Sequence, residues 1–225
     1  MKKLFLFFTF LSLTYFSQAQ IHEIGITLGG SNYIGDIGKE SYIYPNNIAA
    51  GIVYKYNANP RIAWRGAFTY AQISANDADA KNSVRKNRGI SFTNTIKELS
   101  LGLDFNFWEY DLSTVHKTAS PYLIFEIAIF NAKRPQKETS PGKYSYQNHY
   151  SFAIPFGIGY KTKLIHDFSI ALELRGRYTF TDSLDYNHKE IKLLSFGNPN
   201  NNDWYMFSTI SFIYTFGRPP CYAPR

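Results

Sequence analysis

From Leu99 to Phe107 the apolar residues fall on alternate positions: Leu99, Leu101, Leu103, Phe105 and Phe107, with Ser100, Gly102, Asp104 and Asn106 between them. A period of two sends the two sets to opposite faces of a strand, one apolar and one polar. Phe152, Ile154, Phe156, Ile158 and Tyr160 repeat the pattern. So do Phe168, Ile170, Leu172, Leu174 and Tyr178, set against Glu173, Arg175 and Arg177. Strands of ten or more residues are long for a soluble sheet and suit tilted membrane-crossing strands.

No apolar stretch after residue 20 approaches 18 residues, which excludes membrane-spanning helices. A closed barrel is the other way to cross a bilayer, because every backbone polar group must then be paired internally. The chain is accordingly expected to be all-β, a transmembrane antiparallel β-barrel of about eight strands. Candidate strands are roughly 22–33, 47–57, 61–74, 90–108, 120–131, 149–163, 168–180 and 203–216. The connections after the second, fourth and sixth are short or moderate. Those after the first, third, fifth and seventh are longer and polar, which is the arrangement of periplasmic turns and outer loops. An even strand count puts both termini on the periplasmic side of a bacterial outer membrane.

The N-terminus supports export. Lys2 and Lys3 precede an apolar run from Leu4 to Phe16, and Ser17-Gln18-Ala19 supplies small residues at a cleavage position. That run would rise only about 20 Å as a helix, too short to anchor in a core of about 30 Å. Residues 1–19 are therefore read as a signal peptide, 20–216 as the barrel and 217–225 as a periplasmic tail. No lipid-attachment cysteine follows the cleavage position.

Aromatic residues make up 18% of the chain, and their placement suggests two interfacial girdles. Tyr54, Tyr56, Trp64, Phe107, Trp108, Tyr160, Phe168, Tyr214 and Phe216 fall at expected periplasmic ends. Tyr33, Tyr70, Phe92, Tyr150, Tyr178 and Trp204 fall at expected outer ends. The inward face carries Glu23, Glu98, Asp104, Glu126 and Glu173 against Lys55, Arg65, Lys161, Lys163, Arg175 and Arg177. An eight-stranded barrel has room inside only for side chains, so these charges are expected to pair and plug it.

Chemistry-bearing motifs are sparse. His22, His116, His149, His166 and His188 show no metal-binding spacing, and no nucleophile-elbow motif occurs. Thr181-Asp182-Ser183 and His188 share one expected loop, more simply a coincidence than a triad. Leu28-Gly29-Gly30-Ser31 reads as a loop signal closing a strand and not as a phosphate cradle. No cofactor, metal or enzymatic activity is expected. The basic excess, 24 Lys and Arg against 17 Asp and Glu, is dispersed. With export it argues for anionic outer-membrane lipid as a neighbour and against nucleic acid.

The sole cysteine is Cys221, in the tail Gly217-Arg218-Pro219-Pro220-Cys221-Tyr222-Ala223-Pro224-Arg225. Three prolines keep this tail out of the ladder. A lone thiol in an oxidising compartment can pair only with another molecule, so an intermolecular disulfide at Cys221 is one reading and an incidental thiol the other.

Several blocks occur in a particular order: Gly29-Gly30-Ser31-Asn32-Tyr33 with Gly35-Asp36, Phe105-Asn106-Phe107, Ile154-Pro155-Phe156-Gly157-Ile158-Gly159, Phe180-Thr181-Asp182-Ser183-Leu184-Asp185 and Asn201-Asn202-Asp203-Trp204-Tyr205-Met206-Phe207. In that order, over nearly the whole mature chain, the sequence resembles the PorG family of small outer-membrane barrels of the type IX secretion system. The resemblance implies a non-enzymatic structural component contacting a periplasmic ring of the PorK lipoprotein and PorN. Cys221 would then be a tether to that ring. Two other readings stand beside it: a binding or adhesion barrel of the OmpA or OmpW type, and an outer-membrane lipid-modifying enzyme.

Overall fold

A computed structural model describes residues 21–112, 117–140, 143–165, 167–187, 194 and 202–217. Among them eight strands run in chain order: β1 (Ile21–Ile34), β2 (Asn47–Asn59), β3 (Ile62–Asn76), β4 (Ser91–Asn106), β5 (Ala119–Ser140), β6 (Lys143–Ile165), β7 (Phe168–Thr179) and β8 (Trp204–Gly217). Each pairs antiparallel with its sequence neighbour, and β1 closes on β8 with Ile21 opposite Gly217 and Ile34 opposite Trp204. Closure leaves no sheet edge in the wall. Both ends of the described chain emerge at one mouth, here the terminal mouth; the longer loops crowd the opposite one. Residues 1–19, expected to form the signal peptide, lie outside the described residues, as do residues 218–225 of the expected tail.

The alternation resolves as the strand period requires. Leu101, Phe105, Ile154, Phe156, Ile158 and Leu172 point outward and are exposed, with Leu103 and Leu174 half-buried beside them. The intervening residues point inward: Glu23, Lys55, Arg65, Glu98, Asp104, Glu126, Lys161, Glu173, Arg175 and Arg177 are all buried. An apolar outside around a charged inside is the reverse of a soluble protein, and lipid is the solvent that suits it.

Three expectations need correction. Tyr33 and Phe92 were assigned to the outer-end girdle, but they point inward and are 4% and 6% exposed. Their phase decides this: Tyr33 shares the parity of Glu23 on β1, and Phe92 that of Glu98 on β4. Together with Ile37, Ile73, Ile96, Phe130, Leu184, Tyr205 and Phe207 they build an apolar storey inside the barrel. Second, Leu28-Gly29-Gly30-Ser31 does not leave the strand; it lies within β1. A Cβ on Gly29 would sit 2.2 Å from the Ser208 carbonyl oxygen, and one on Gly30 would sit 2.3 Å from Pro45 Cβ. These glycines permit close packing and do not mark a loop.

The third correction concerns β5 and β6, which were expected to end at 131 and start at 149. They continue as a hairpin to Ser140 and Lys143. The other long connections also hold structure. Residues 77–90 contain a 3-10 turn (Asp77–Asp79) and a short helix α1 (Ser83–Arg88). Asn82 caps the helix by accepting from the Val84 N–H, and Gly89, with φ 67°, ends it in the left-handed region.

Candidate functional site

The interior is layered. Next to the terminal mouth, Lys161 Nζ lies 4.4 Å from the Tyr110 ring centre and 5.1 Å from that of Tyr122. Glu23 Oε2 accepts from Asn57 Nδ2 at 2.9 Å. Tyr110 and Leu112 come from the β4–β5 connection and pack with Ile21 across this mouth. The Tyr110 hydroxyl meets Ser169 Oγ at 2.8 Å, and Lys163 Nζ donates to the Leu112 carbonyl at 3.1 Å.

Above this the ion pairs interlock. Lys55 Nζ is 2.6 Å from Asp104 Oδ2. Arg65 holds Glu173 with two donors at 2.7 and 2.8 Å, and its Nε is 3.3 Å from Glu126. Arg175 bridges Glu126 at 3.3 Å and Glu173 at 3.2 Å. The Tyr122 hydroxyl donates to Glu173 at 2.5 Å. Higher still, Arg177 donates to Glu98 at 3.1 and 3.2 Å while its guanidinium lies 3.8 Å from the Phe207 ring centre. Tyr205 completes Glu98 from its hydroxyl at 2.6 Å. Side chains, and not a channel, occupy this space.

The long-loop mouth is closed by a second network. Asp203, just before β8, accepts from the Tyr33 hydroxyl at 2.5 Å and from the Leu184 N–H at 2.9 Å. Asp185 accepts from the same hydroxyl at 3.1 Å. Burial pushes Asp185 up to about 6. Asp203 is raised by burial and further by the Asp185 charge. On the other side of the mouth Asp77 collects the Gly38 N–H, the Ile90 N–H and two Arg88 donors between 2.8 and 3.1 Å. Burial works to raise the Asp77 carboxyl, but those donors and the Arg88 charge outweigh it and hold the carboxyl below its ordinary range. Arg88 also donates to the Asp36 carbonyl at 2.7 Å, so the loops after β1 and β3 are tied together.

The other expected residues are scattered. His22 is part of the aromatic belt at the terminal mouth, with Nδ1 2.6 Å from the Tyr54 hydroxyl and its ring stacked on Phe216 at 5.5 Å. His149 lies on the β5–β6 hairpin. His116, His166, His188 and Cys221 lie outside the described residues. Thr181 and Ser183 share a hydroxyl contact of 2.8 Å, and Asp182 accepts from Asn187 at 3.2 Å. These are loop-local bonds. Among the described residues no group of three His, Cys, Asp or Glu side chains is placed to hold a metal. Sequence reasoning found the ion network from strand phase. It missed the Tyr33–Asp185–Asp203 and Asp77–Arg88 networks, whose members are brought together by the folding of long polar connections; only the phase of Tyr33 was there to be read.

The family described as "Domain of unknown function (DUF6089)" matches residues 2–225. No curated protein matches the sequence. Among solved structures, Ail, the attachment invasion locus protein of Yersinia pestis, is similar at 15% identity and a TM-score of 0.49, covering 88% of this chain and 99% of its own. The N-terminal β-barrel domain of Pseudomonas aeruginosa OprF is similar at 12% identity and 0.44, covering 88% and 98%. A major outer membrane protein from Thermus thermophilus is similar at 12% and 0.44, covering 88% and 100%. These likenesses are of fold alone.

Proposed function

The chain belongs to the DUF6089 family, and we propose that it is a non-enzymatic outer-membrane barrel serving as a structural component of a protein secretion machine, the type IX system, docked on a periplasmic ring. The observation that carries this reading is the solid interior. With Arg65, Arg175 and Arg177 locked to Glu126, Glu173 and Glu98 across the lumen, side chains of the described residues fill the interior, and the apolar wall suits lipid. The rims are left to act. The ordered sequence blocks resembling PorG support the choice of system, and the chain after Gly217 continues from the terminal mouth, where a PorK and PorN ring would dock.

In this reading Cys221 tethers the tail to a ring subunit by an intermolecular disulfide. Even a modest docking surface would then be held, because a second linkage raises effective concentration. Pull-down from membranes under non-reducing conditions should recover ring proteins with the barrel. It should also show a heavier adduct that collapses with reductant and is missing in Cys221→Ser. Recovery of the barrel alone, from cells that are actively secreting, would overturn the ring reading; a ring complex without the adduct would overturn only the tether.

The adhesion or binding reading keeps one observation in its favour, the hairpin that rises beyond the long-loop mouth. It predicts ligand capture that depends on that hairpin and survives loss of the tail.

A further inference from the structure

The β5–β6 hairpin carries a feature the ring-docking reading leaves unused. β5 is paired with β4 only as far as Asn131, opposite Lys97. β6 is paired with β7 only from Ala153, opposite Thr179. Residues 132–140 and 143–152 therefore form a two-stranded ribbon outside the closed wall, about 30 Å long at the usual rise per residue. Such a ribbon has two free edges, and free edges invite further strands unless they are blocked.

The two edges differ. On the β5 side the Asn94 side chain engages both backbone groups of Lys133, donating to its carbonyl at 2.8 Å and accepting from its N–H at 3.0 Å. Two residues on, Pro135 has no N–H to offer. Lys133 is thereby shown to turn its backbone away from β6, so its partner Asn148 turns its own away from β5. The Phe152 carbonyl, accepting from the Phe180 N–H on the β7 side, fixes the same phase. By alternation Tyr144, Tyr146, Asn148 and Tyr150 all present N–H and C=O along the outer edge of β6. This stretch has no proline, no glycine and no bulge on its own strand, and those backbone groups have no partner among the described residues. The ribbon is braced midway along its length: the ring of Tyr146, opposite Pro135, lies 4.9 Å from that of Tyr186. Its charges are one-sided, with Lys133, Arg134, Lys137 and Lys143 against Glu138.

We infer that the outer edge of β6, residues 144–150, is a strand-addition site for an extended acidic segment of a partner protein. Main-chain pairing along the edge would supply affinity, and the basic ribbon would select the sign of the partner's charge. The site lies at the opposite mouth from the tail, so it is independent of ring docking.

The test uses the full-length barrel in lipid nanodiscs and a fluorescent eight-residue peptide alternating Glu and Val. Anisotropy should report binding. Amide exchange over 144–150 should be fast in the free protein and slowed by the peptide. Asn148→Pro removes an outward N–H while sparing the β5 ladder, and it should weaken binding about tenfold. If that variant does not fold, Lys143→Glu should weaken binding and reduce its salt dependence. Equal binding of the Lys–Val counterpart, protection of 144–150 before peptide is added, or unchanged affinity in both variants would overturn the site. So would a response only to lipopolysaccharide vesicles.

Discussion

Arg65→Met is the sharpest probe of the interior. The guanidinium lies 2.7 and 2.8 Å from Glu173, 3.3 Å from Glu126 and 3.5 Å from Asp104, all fully buried. Methionine keeps the apolar stem and removes the charge, leaving three carboxylates with Lys55 and Arg175 as their nearest cations. Breaking one side of a buried pair costs about 3–5 kcal/mol, because the stranded charge stays out of water. The Tyr122 hydroxyl still donates to Glu173, which favours the lower half of that range. Combining Arg65→Met with Glu173→Gln restores the charge count, and the pair of changes should cost less than their sum by about 1–3 kcal/mol. Urea titration of the barrel in lipid vesicles, followed by the folded band on unheated gels, gives both numbers. A loss below about 1 kcal/mol for Arg65→Met, the size of an exposed pair, would refute the desolvated network. Strict additivity in the double variant would refute it as well.

Two further outcomes follow from the wall and the mouth. Leu172→Arg places a charge on the outward face, where Leu172 is 58% exposed. It should cost about 2–4 kcal/mol in a bilayer; a neutral effect in vesicles would show that this face does not meet lipid. At the long-loop mouth Asp185 is raised to about 6 and Asp203 is raised too. The folded state therefore holds protons that the unfolded chain has already released. That contribution is complete below the ordinary aspartate range and is lost as pH rises through about 6. Amide exchange at Leu184, which donates to Asp203, should be slower at pH 5 than at pH 8 after correction for intrinsic rates, and Asp185→Asn should flatten the difference. Faster opening at pH 5 would refute the sign.

How much of this was legible depends on whether a residue speaks through phase or through distant neighbours. The wall speaks through phase, and Leu99–Phe107 alone shows which side of β4 meets lipid. The inward charges follow from the same parity. Tyr33 and Phe92 were misplaced because their height along the strand was read and their parity was not. The hairpin was missed because residues 132–140 and 143–148 lie beyond the closed wall, where no face is continuously aliphatic and Lys, Arg, Pro and Gln break up the pattern. The helix Ser83–Arg88 had its signals, Asn82 and Gly89, but they are weak for so short an element. The Asp77 hub could not be read at all: its partners Gly38 and Arg88 lie 39 and 11 residues away, and an aspartate in a polar loop looks like any other.

The charge count inside the barrel also explains the closed terminal mouth. The inward bases outnumber the inward acids by one, so a lumen closed by ion pairs alone would leave a cation stranded. Lys161 has no carboxylate in ion-pair reach among the described residues, and it rests instead against the faces of Tyr110 and Tyr122. Lys163, next on the same face, gives a bond to the Leu112 carbonyl. Tyr110 and Leu112 both belong to the connection that covers this mouth. A ring face and a carbonyl are partners of the right sign for a cation in a site that excludes water. The β4–β5 connection thus shuts the mouth and, through the same two residues, supplies the electron density that the inward acids lack. Two buried lysines that would otherwise pull water into the lumen hold it in place.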